Sequence, residues 1–355
     1  MSEVDTPLRV AVDNRVGYLT LDRPAKLNTL NLDLVRQLHS QLQAWEQDPD
    51  VVVIVLSGAG DRAFCAGGDI RALYDSYLRA DGVHQQFFDE EYALDQYIHR
   101  YAKPILALMD GLVLGGGMGL AQGAAVRVVT ERSRLGMPEV AIGYFPDVGA
   151  SYFLSRLAGE LGIYLAVTGQ QVNPADALYT GLADVCIASE QLDELHRSLA
   201  VQAWSAEPVD DLRRLLDALA VQPPPGPLQR YRSVIDDCFA LPDVLAMRAA
   251  LLAVAQAEQA QWAEATAALI DTRSPLAMSV ALELMRRGRS RDLAHCFAME
   301  LDLQRQWFAD GDIMEGIRAL LVDKDHTPQW RPASLQAVSS KQVSAFFANF
   351  GPQSK

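Results

Sequence analysis

The sequence predicts an α/β fold, with a layered core over residues 1–205 and a helical C-terminal domain over residues 206–355. Three observations lead there. The chain opens in the order strand, strand, helix, strand, which is the pattern of an α/β layer architecture. Two unbroken apolar runs, at 51–56 and 105–109, read as strands buried on both faces. Beyond V-Q-P-P-P-G-P at 221–227, the clearest linker in the chain, the pattern is helical almost to the C-terminus, for example over 244–267.

Taken in order, β-rich runs at 8–12 and 16–21 flank Asp13-Asn14-Arg15 and read as a hairpin. The loop D-R-P-A-K-L-N-T-L leads into a helix over 32–47, where Leu32, Val35, Leu38, Leu42 and Trp45 form one buried stripe. Residues 58–70, G-A-G-D-R-A-F-C-A-G-G-D-I, pass from strand into helix, with Asp69 placed to cap that helix. Paired glycines let backbone N–H groups approach a ligand with no Cβ in the way. Helices follow over 71–78 and 83–101; Glu90 in the second reads as part of a solvated face.

After the strand at 105–109 comes D-G-L-V-L-G-G-G-M-G-L-A-Q-G. Gly117, Gly119 and Gly123 imitate a dinucleotide fingerprint, but that unit needs a full crossover helix and an acid about 20 residues further on. Here a strand-like run at 126–130 starts almost at once, so the fingerprint is rejected. The stretch reads instead as a Gly-rich turn feeding a short helix, where unpaired N–H groups and the helix dipole favour negative charge. Two such turns, one after each buried strand, could each supply one N–H to an oxygen that gains charge in a reaction.

The most informative stretch is R-L-G-M-P-E-V-A-I-G-Y-F-P-D-V-G-A at 134–150. Loops are normally polar, so Glu139 and Asp147 among apolar neighbours point to a walled site. Desolvation raises the pKa of such acids and suits them to proton transfer or attack near neutral pH. The competing reading makes Glu139 a turn cap and Asp147 the N-cap of a helix over 150–157, and this stretch alone leaves both open. Helices at 161–168 and 190–204, a turn at 170–173 before Pro174, and a strand at 182–187 complete the core.

Bulk properties exclude several function classes. The 355 residues are half apolar and about one-fifth charged, with a net charge of −14 and a pI near 4.9. That balance argues against sequence-independent nucleic-acid binding, which needs clustered cations. No apolar run approaches the roughly 18–20 residues that span a bilayer. The start, M-S-E-V-D-T-P-L-R-V, lacks a leader pattern. Cys65, Cys186, Cys238 and Cys296 are widely spaced, with no zinc-binding pattern. The expectation is a cytoplasmic protein that binds no metal, nucleic acid or membrane.

Three blocks in order, F-C-A-G-G-D-I at 64–70, G-L-V-L-G-G-G-M-G-L at 111–120 and M-P-E-V-A-I-G-Y-F-P-D-V-G at 137–149, resemble the crotonase (enoyl-CoA hydratase/isomerase) superfamily. Within it, F-F-D-E-E-Y at 87–92, F-P-D-V-G, M-E-G-I-R-A-L-L-V-D-K-D at 314–325 and W-R-P at 330–332 are similar to the 3-hydroxyisobutyryl-CoA hydrolases. The resemblance implies a ββα spiral core with a helical C-terminal region, acting on an acyl-CoA thioester with no cofactor besides that coenzyme A. It also implies that the N–H groups of Gly68 and Gly116 hold the thioester oxygen, that Glu139 and Asp147 form the acid pair, and that Glu91 contacts substrate. Arg23 and Lys26 are candidates for the CoA phosphates, with ordinary surface charge as the competing reading. Superfamily members are often trimers, so a homo-oligomer is open by analogy.

One departure bears on the reaction. Hydratases of this superfamily carry a Glu two residues after the last of the three glycines, where this chain has Gly119. Asp147 stands where hydratases commonly have a small residue. The leading expectation is therefore hydrolysis of a short 3-hydroxyacyl-CoA, above all 3-hydroxyisobutyryl-CoA from valine breakdown. Alternatives are hydration or dehydration with Asp147 as a relocated acid, a thioesterase using Cys65, and a non-catalytic acyl-CoA binder. A serine hydrolase is unsupported, because no G-x-S-x-G elbow is present.

Overall fold

The computed structural model describes residues 6–351, so part of the stretch read for a leader lies outside the described residues. The chain begins with β1 (Leu8–Asp13) and β2 (Val16–Leu21), antiparallel from Asp13↔Val16 to Leu8↔Leu21. Both loop residues, Asn14 and Arg15, have positive φ (44° and 64°). That is the two-residue turn whose twist matches a right-twisted hairpin. The expected first helix spans Leu32–Glu46; the Asn31 side chain accepts from the Leu34 N–H and so caps it. Its buried stripe is Leu34, Val35, Leu38, Leu42 and Trp45, with Leu34 rather than Leu32 at its head.

The remaining strands are β3 (Val53–Gly58), β4 (Ala63–Cys65), β5 (Ile105–Met109), β6 (Leu112–Leu114), β7 (Val126–Val129), β8 (Arg134–Gly136) and β9 (Val185–Cys186). A six-stranded sheet runs β1-β2-β3-β5-β7-β9 and is parallel from β2 onward. A three-stranded sheet runs β4-β6-β8. Val53, Val55, Leu106, Leu108, Val126 and Val128 of the larger sheet are buried against Leu195 and Leu199 of the helix Leu192–Val201, and Leu212 and Leu216 of the helix Pro208–Asp217. Covering helices are what a parallel sheet with continuous apolar strands requires.

The chain forms two compact units, each discontinuous in sequence. One holds the residues up to Asp69, Asp89–Leu135 and Val172–Gly226; the other holds Ile70–Phe88, Gly136–Gln171 and the residues from Pro227 on. This differs from a single cut after residue 205, although the Gly226/Pro227 boundary does fall within the expected linker. Close backbone approach explains why 136–171 joins the C-terminal helices. A Cβ on Gly288, in the helix Pro275–Gly288, would lie 1.9 Å from the Ser151 carbonyl oxygen. A second difference is that the helix expected over 244–267 is two helices, Val244–Leu252 and Ala257–Ile270. No Gly or Pro marks the break. The turn lets both helices bury apolar residues, Val244, Met247 and Leu251 on one, and Ala263, Ala267 and Ile270 on the other.

Candidate active site

The first unit brings the two glycine turns together. β4 and β6 run parallel, pairing Ala63↔Leu112 and Cys65↔Val113 across a shift in register, and the turns that follow them leave the sheet side by side. Gly67 (φ 95°) and Gly115 (φ 51°) take backbone conformations that L side chains rarely adopt. A Cβ on Gly67 would lie 3.5 Å from the Gly116 nitrogen, and one on Gly117 would lie 2.3 Å from the Cys65 carbonyl oxygen. Leu30 bridges to Gly68 by donating to the Gly67 carbonyl and accepting from the Asp69 N–H, each at 2.8 Å. Those are the groups flanking Gly68, so its own N–H points away from Leu30. Gly116 opens the helix Gly116–Gln122, whose N-cap, Gly115, has no side chain to offer. Glu91, buried on the helix Val83–His99, completes the group: its Oε1 would lie 2.4 Å from a Cβ on Gly116. Gly68, Gly116 and Glu91 thus belong to one locality.

Arg23 and Lys26 differ in their surroundings. Arg23 donates to Asp69 Oδ2 at 3.0 Å and to the Thr29 carbonyl, and its side chain is 17% exposed. It is committed to holding its own loop. Lys26 ends the short turn Pro24–Lys26 and is exposed. Asn28, which the sequence reading passed over, is buried and donates to the carbonyls of Ala59 (3.0 Å) and Ala63 (2.8 Å). Cys65 is fully buried, and burial pushes its thiol up to about 12. Little thiolate exists there at neutral pH, which counts against a cysteine nucleophile.

The second unit holds the acids. Glu139 begins the one-turn helix Glu139–Ile142 and is 7% exposed; its Oε2 has no hydrogen-bond partner among the described residues. Burial, then the charge of Asp147, hold its carboxyl well above the ordinary range. That turn is closed by residues far along the chain. Trp307 Nε1 donates to the Gly143 carbonyl at 2.7 Å, and the Ser274 N–H donates to the Val140 carbonyl at 3.1 Å. At Gly143 (φ 71°) a Cβ would lie 2.6 Å from Asp312 atoms, and at Gly316 one would lie 2.1 Å from the Ile142 carbonyl oxygen. Asp312 is itself held by the Ser274 hydroxyl (2.6 Å) and the Arg331 N–H (3.0 Å).

Asp147 is 5% exposed and precedes a bent segment in which Val148 and Gly149 have φ of 51° and 87°. Its carbonyl accepts from the Ala150 N–H at 2.8 Å. The N-cap of the helix Ala150–Phe153 is Gly149, not Asp147, and no side chain makes the usual cap bond. Instead Glu300, from the helix Leu293–Asp310, accepts from the Gly149 N–H (2.7 Å), the Ser151 N–H (2.8 Å) and the Ser151 hydroxyl (2.5 Å). The capping role expected of Asp147 therefore falls to a residue the sequence reading did not single out. Nothing local could have found Glu300, since its helix reads as an ordinary amphipathic one. The run at 314–325 did flag the neighbourhood of Gly316.

Comparison with known proteins bears on what these two localities serve. The family model described as enoyl-CoA hydratase/isomerase matches residues 16–347. The chain belongs to the enoyl-CoA hydratase/isomerase family. Its crotonase-like ββα core and helical C-terminal region agree with the solved family members. One is a carnitinyl-CoA dehydratase from Mycobacterium thermoresistibile, with TM-score 0.88 and 39% identity, covering 98% of this chain and 97% of that one. Another is an enoyl-CoA hydratase from Rhodobacter sphaeroides 2.4.1, with TM-score 0.86 and 32% identity, covering 96% and 97%. Among curated family members, the mitochondrial 3-hydroxyisobutyryl-CoA hydrolase of Rattus norvegicus is 36% identical over 99% of this chain and 91% of that protein.

Proposed function

We propose that this enzyme hydrolyses the thioester of a short 3-hydroxyacyl-CoA, with 3-hydroxyisobutyryl-CoA as the leading substrate, to the free acid and CoA. One observation carries the reading. The buried acids Glu139 and Asp147 pair in a chain whose usual hydratase acid is replaced by Gly119. Glu139 either removes a proton from the water that attacks the thioester carbon, or attacks that carbon itself and forms an anhydride that water then hydrolyses to the free acid and Glu139. The N–H groups of Gly68 and Gly116 take the charge that develops on the carbonyl oxygen, where one such donor is worth roughly 3–4 kcal/mol in other enzymes. The C–S bond breaks, the thiol leaves with a proton, and Asp147 positions the water and manages that proton and the substrate hydroxyl. Glu91 contacts the acyl group. Lys26 is the better of the two cations for a CoA phosphate, and no cofactor beyond the substrate's own coenzyme A is invoked.

The reading extends to valine breakdown in the cytoplasm; the mitochondrial setting belongs to the relatives whose names carry it. Among the described residues no helix is long and apolar enough to cross a membrane. Light scattering tests the homo-oligomer implied by superfamily analogy.

Dehydration is the second reading, favoured by the name of the solved dehydratase at 39% identity. One experiment separates the two: thiol release and enoyl absorbance are followed together on 3-hydroxyisobutyryl-CoA and related esters. Thiol release without an enoyl signal is expected. An enoyl signal with no thiol release would transfer the assignment to dehydration, and tight binding with neither would leave an acyl-CoA binder.

A further inference from the structure

The segment 147–151 does not hold its own shape. Val148, a β-branched residue, sits at φ 51°, and Gly149 follows at 87°. Such conformations persist only where the surroundings over-determine them. Here the determinant is one helix about 150 residues further along the chain. Both oxygens of Glu300 are used: Oε2 accepts from the Gly149 N–H, and Oε1 accepts from the N–H and hydroxyl of Ser151. Phe297, three residues earlier on the same helix, lies under Gly149, where a Cβ would come within 3.0 Å of its ring. The Glu300 carboxyl and the Phe297 ring together hold this segment, and Asp147 stands two residues before the first clamped N–H.

We propose that Glu300 is a positioning residue for Asp147, clamping the 147–151 segment so that the Asp147 carboxyl is presented in one orientation. This rests on the hydrolase reading and deepens it. The charge of Glu300 has a second consequence. The groups around it are Asp147 and Ser151 from the clamped segment and Cys296 from its own helix, with Arg156 facing Cys296. Burial raises the Glu300 carboxyl, the Ser151 and Gly149 donors lower it, and the charge of Asp147 raises it again, to about 8. The repulsion between the two acids therefore acts where Glu300 ionises, near pH 8.

The test uses the full chain with Glu300→Gln, Ser151→Ala and Glu300→Gln combined with Asp147→Asn. Gln keeps the shape but turns an NH2 group toward an N–H donor. Thiol release from 3-hydroxyisobutyryl-CoA is measured between about pH 5.5 and 9 beside thermal melting. In Glu300→Gln, kcat per folded molecule is expected to fall by about tenfold or more with KM nearly unchanged, because a displaced acid loses alignment rather than binding. Above about pH 8, where Glu300 ionises in the wild type, the two rate profiles separate; below it they run parallel. Ser151→Ala shows a smaller loss in the same direction. In the Asp147→Asn background, Glu300→Gln is expected to cost less than about threefold more, as residues acting through one another do. A Glu300→Gln enzyme with wild-type kcat and pH profile overturns the proposal, as does full multiplication of the two losses. If Glu300→Gln does not fold, Ser151→Ala decides by the same readouts, and an unchanged Ser151→Ala overturns it. If the wild-type protein releases no thiol from any ester, it is the hydrolase reading that fails. The clamp is then judged by hydrogen exchange at Gly149 and Ser151 and by the carboxyl carbon shift of Asp147, each expected to change in Glu300→Gln.

Discussion

The two localities are built in opposite ways. Around Gly68 and Gly116 the proposed chemistry is backbone chemistry, and the sequence that shapes it is local: strand, glycine turn, then helix or bridge, twice over. Around Glu139 and Asp147 the proposed chemistry is in side chains. The turns that carry them are closed by Trp307, 164 residues beyond Gly143, and by Glu300, 151 residues beyond Gly149. A glycine turn needs only an absent Cβ and a strand beside it. A buried acid needs its desolvation tolerated and its loop propped, and both come from whatever packs over it. Local building tolerates change elsewhere in the chain; remote building makes the acids depend on the C-terminal helices.

The largest effect expected on this contrast is at the acids. Glu139→Gln should lower kcat for thiol release by about 10³-fold, within the range for loss of a general base. The same change should be stabilising at alkaline pH. The folded chain holds the Glu139 proton more tightly than the unfolded chain does, so its contribution to stability is full below the ordinary carboxyl value and is lost as pH rises through the raised one. Melting of the variant and the wild type should therefore diverge as pH rises above the ordinary carboxyl value, in favour of Gln. Parallel melting curves would show that Glu139 is not held protonated by burial.

Next comes the glycine side. Gly117→Ala forces a Cβ to within 2.3 Å of the Cys65 carbonyl oxygen unless the two turns separate. A loss of about 10²-fold in kcat is expected, comparable to losing one oxyanion donor. Wild-type kcat would show that the closeness of the turns is not used.

Trp307→Phe probes the remote support. It leaves the Gly143 carbonyl without its indole donor, which should cost about 1–3 kcal/mol in denaturant unfolding. A smaller fall in kcat should accompany it, with KM little changed. If kcat falls no further than the folded fraction, the prop is structural only. The smallest effect is Cys65→Ala, expected to keep activity within about threefold, as for a buried apolar thiol. Complete inactivation would revive the cysteine reading.

Some differences between expectation and structure share one origin. The break at residues 253–256 carries no Gly or Pro, so helical periodicity runs straight through it, and nothing local marks where one helix ends and the next begins. The two-unit division follows from Gly288 meeting Ser151, an approach no linear pattern announces. Arg23 reads as a free cation until Asp69 and Thr29 are seen to engage it.

By itself the sequence determined what depends on neighbours within a few residues. That includes the hairpin turn at Asn14-Arg15, the apolar strands, both glycine turns, and two acids set in an apolar stretch. In each case one residue's steric or solvation preference decides the outcome locally. Tertiary structure alone decided which helix caps the segment after Asp147, how far the Glu139 carboxyl is pushed up, and which unit the acids join. Those outcomes turn on desolvation and on hydrogen bonds to groups more than 100 residues away, and neither exists until the chain has folded back on itself.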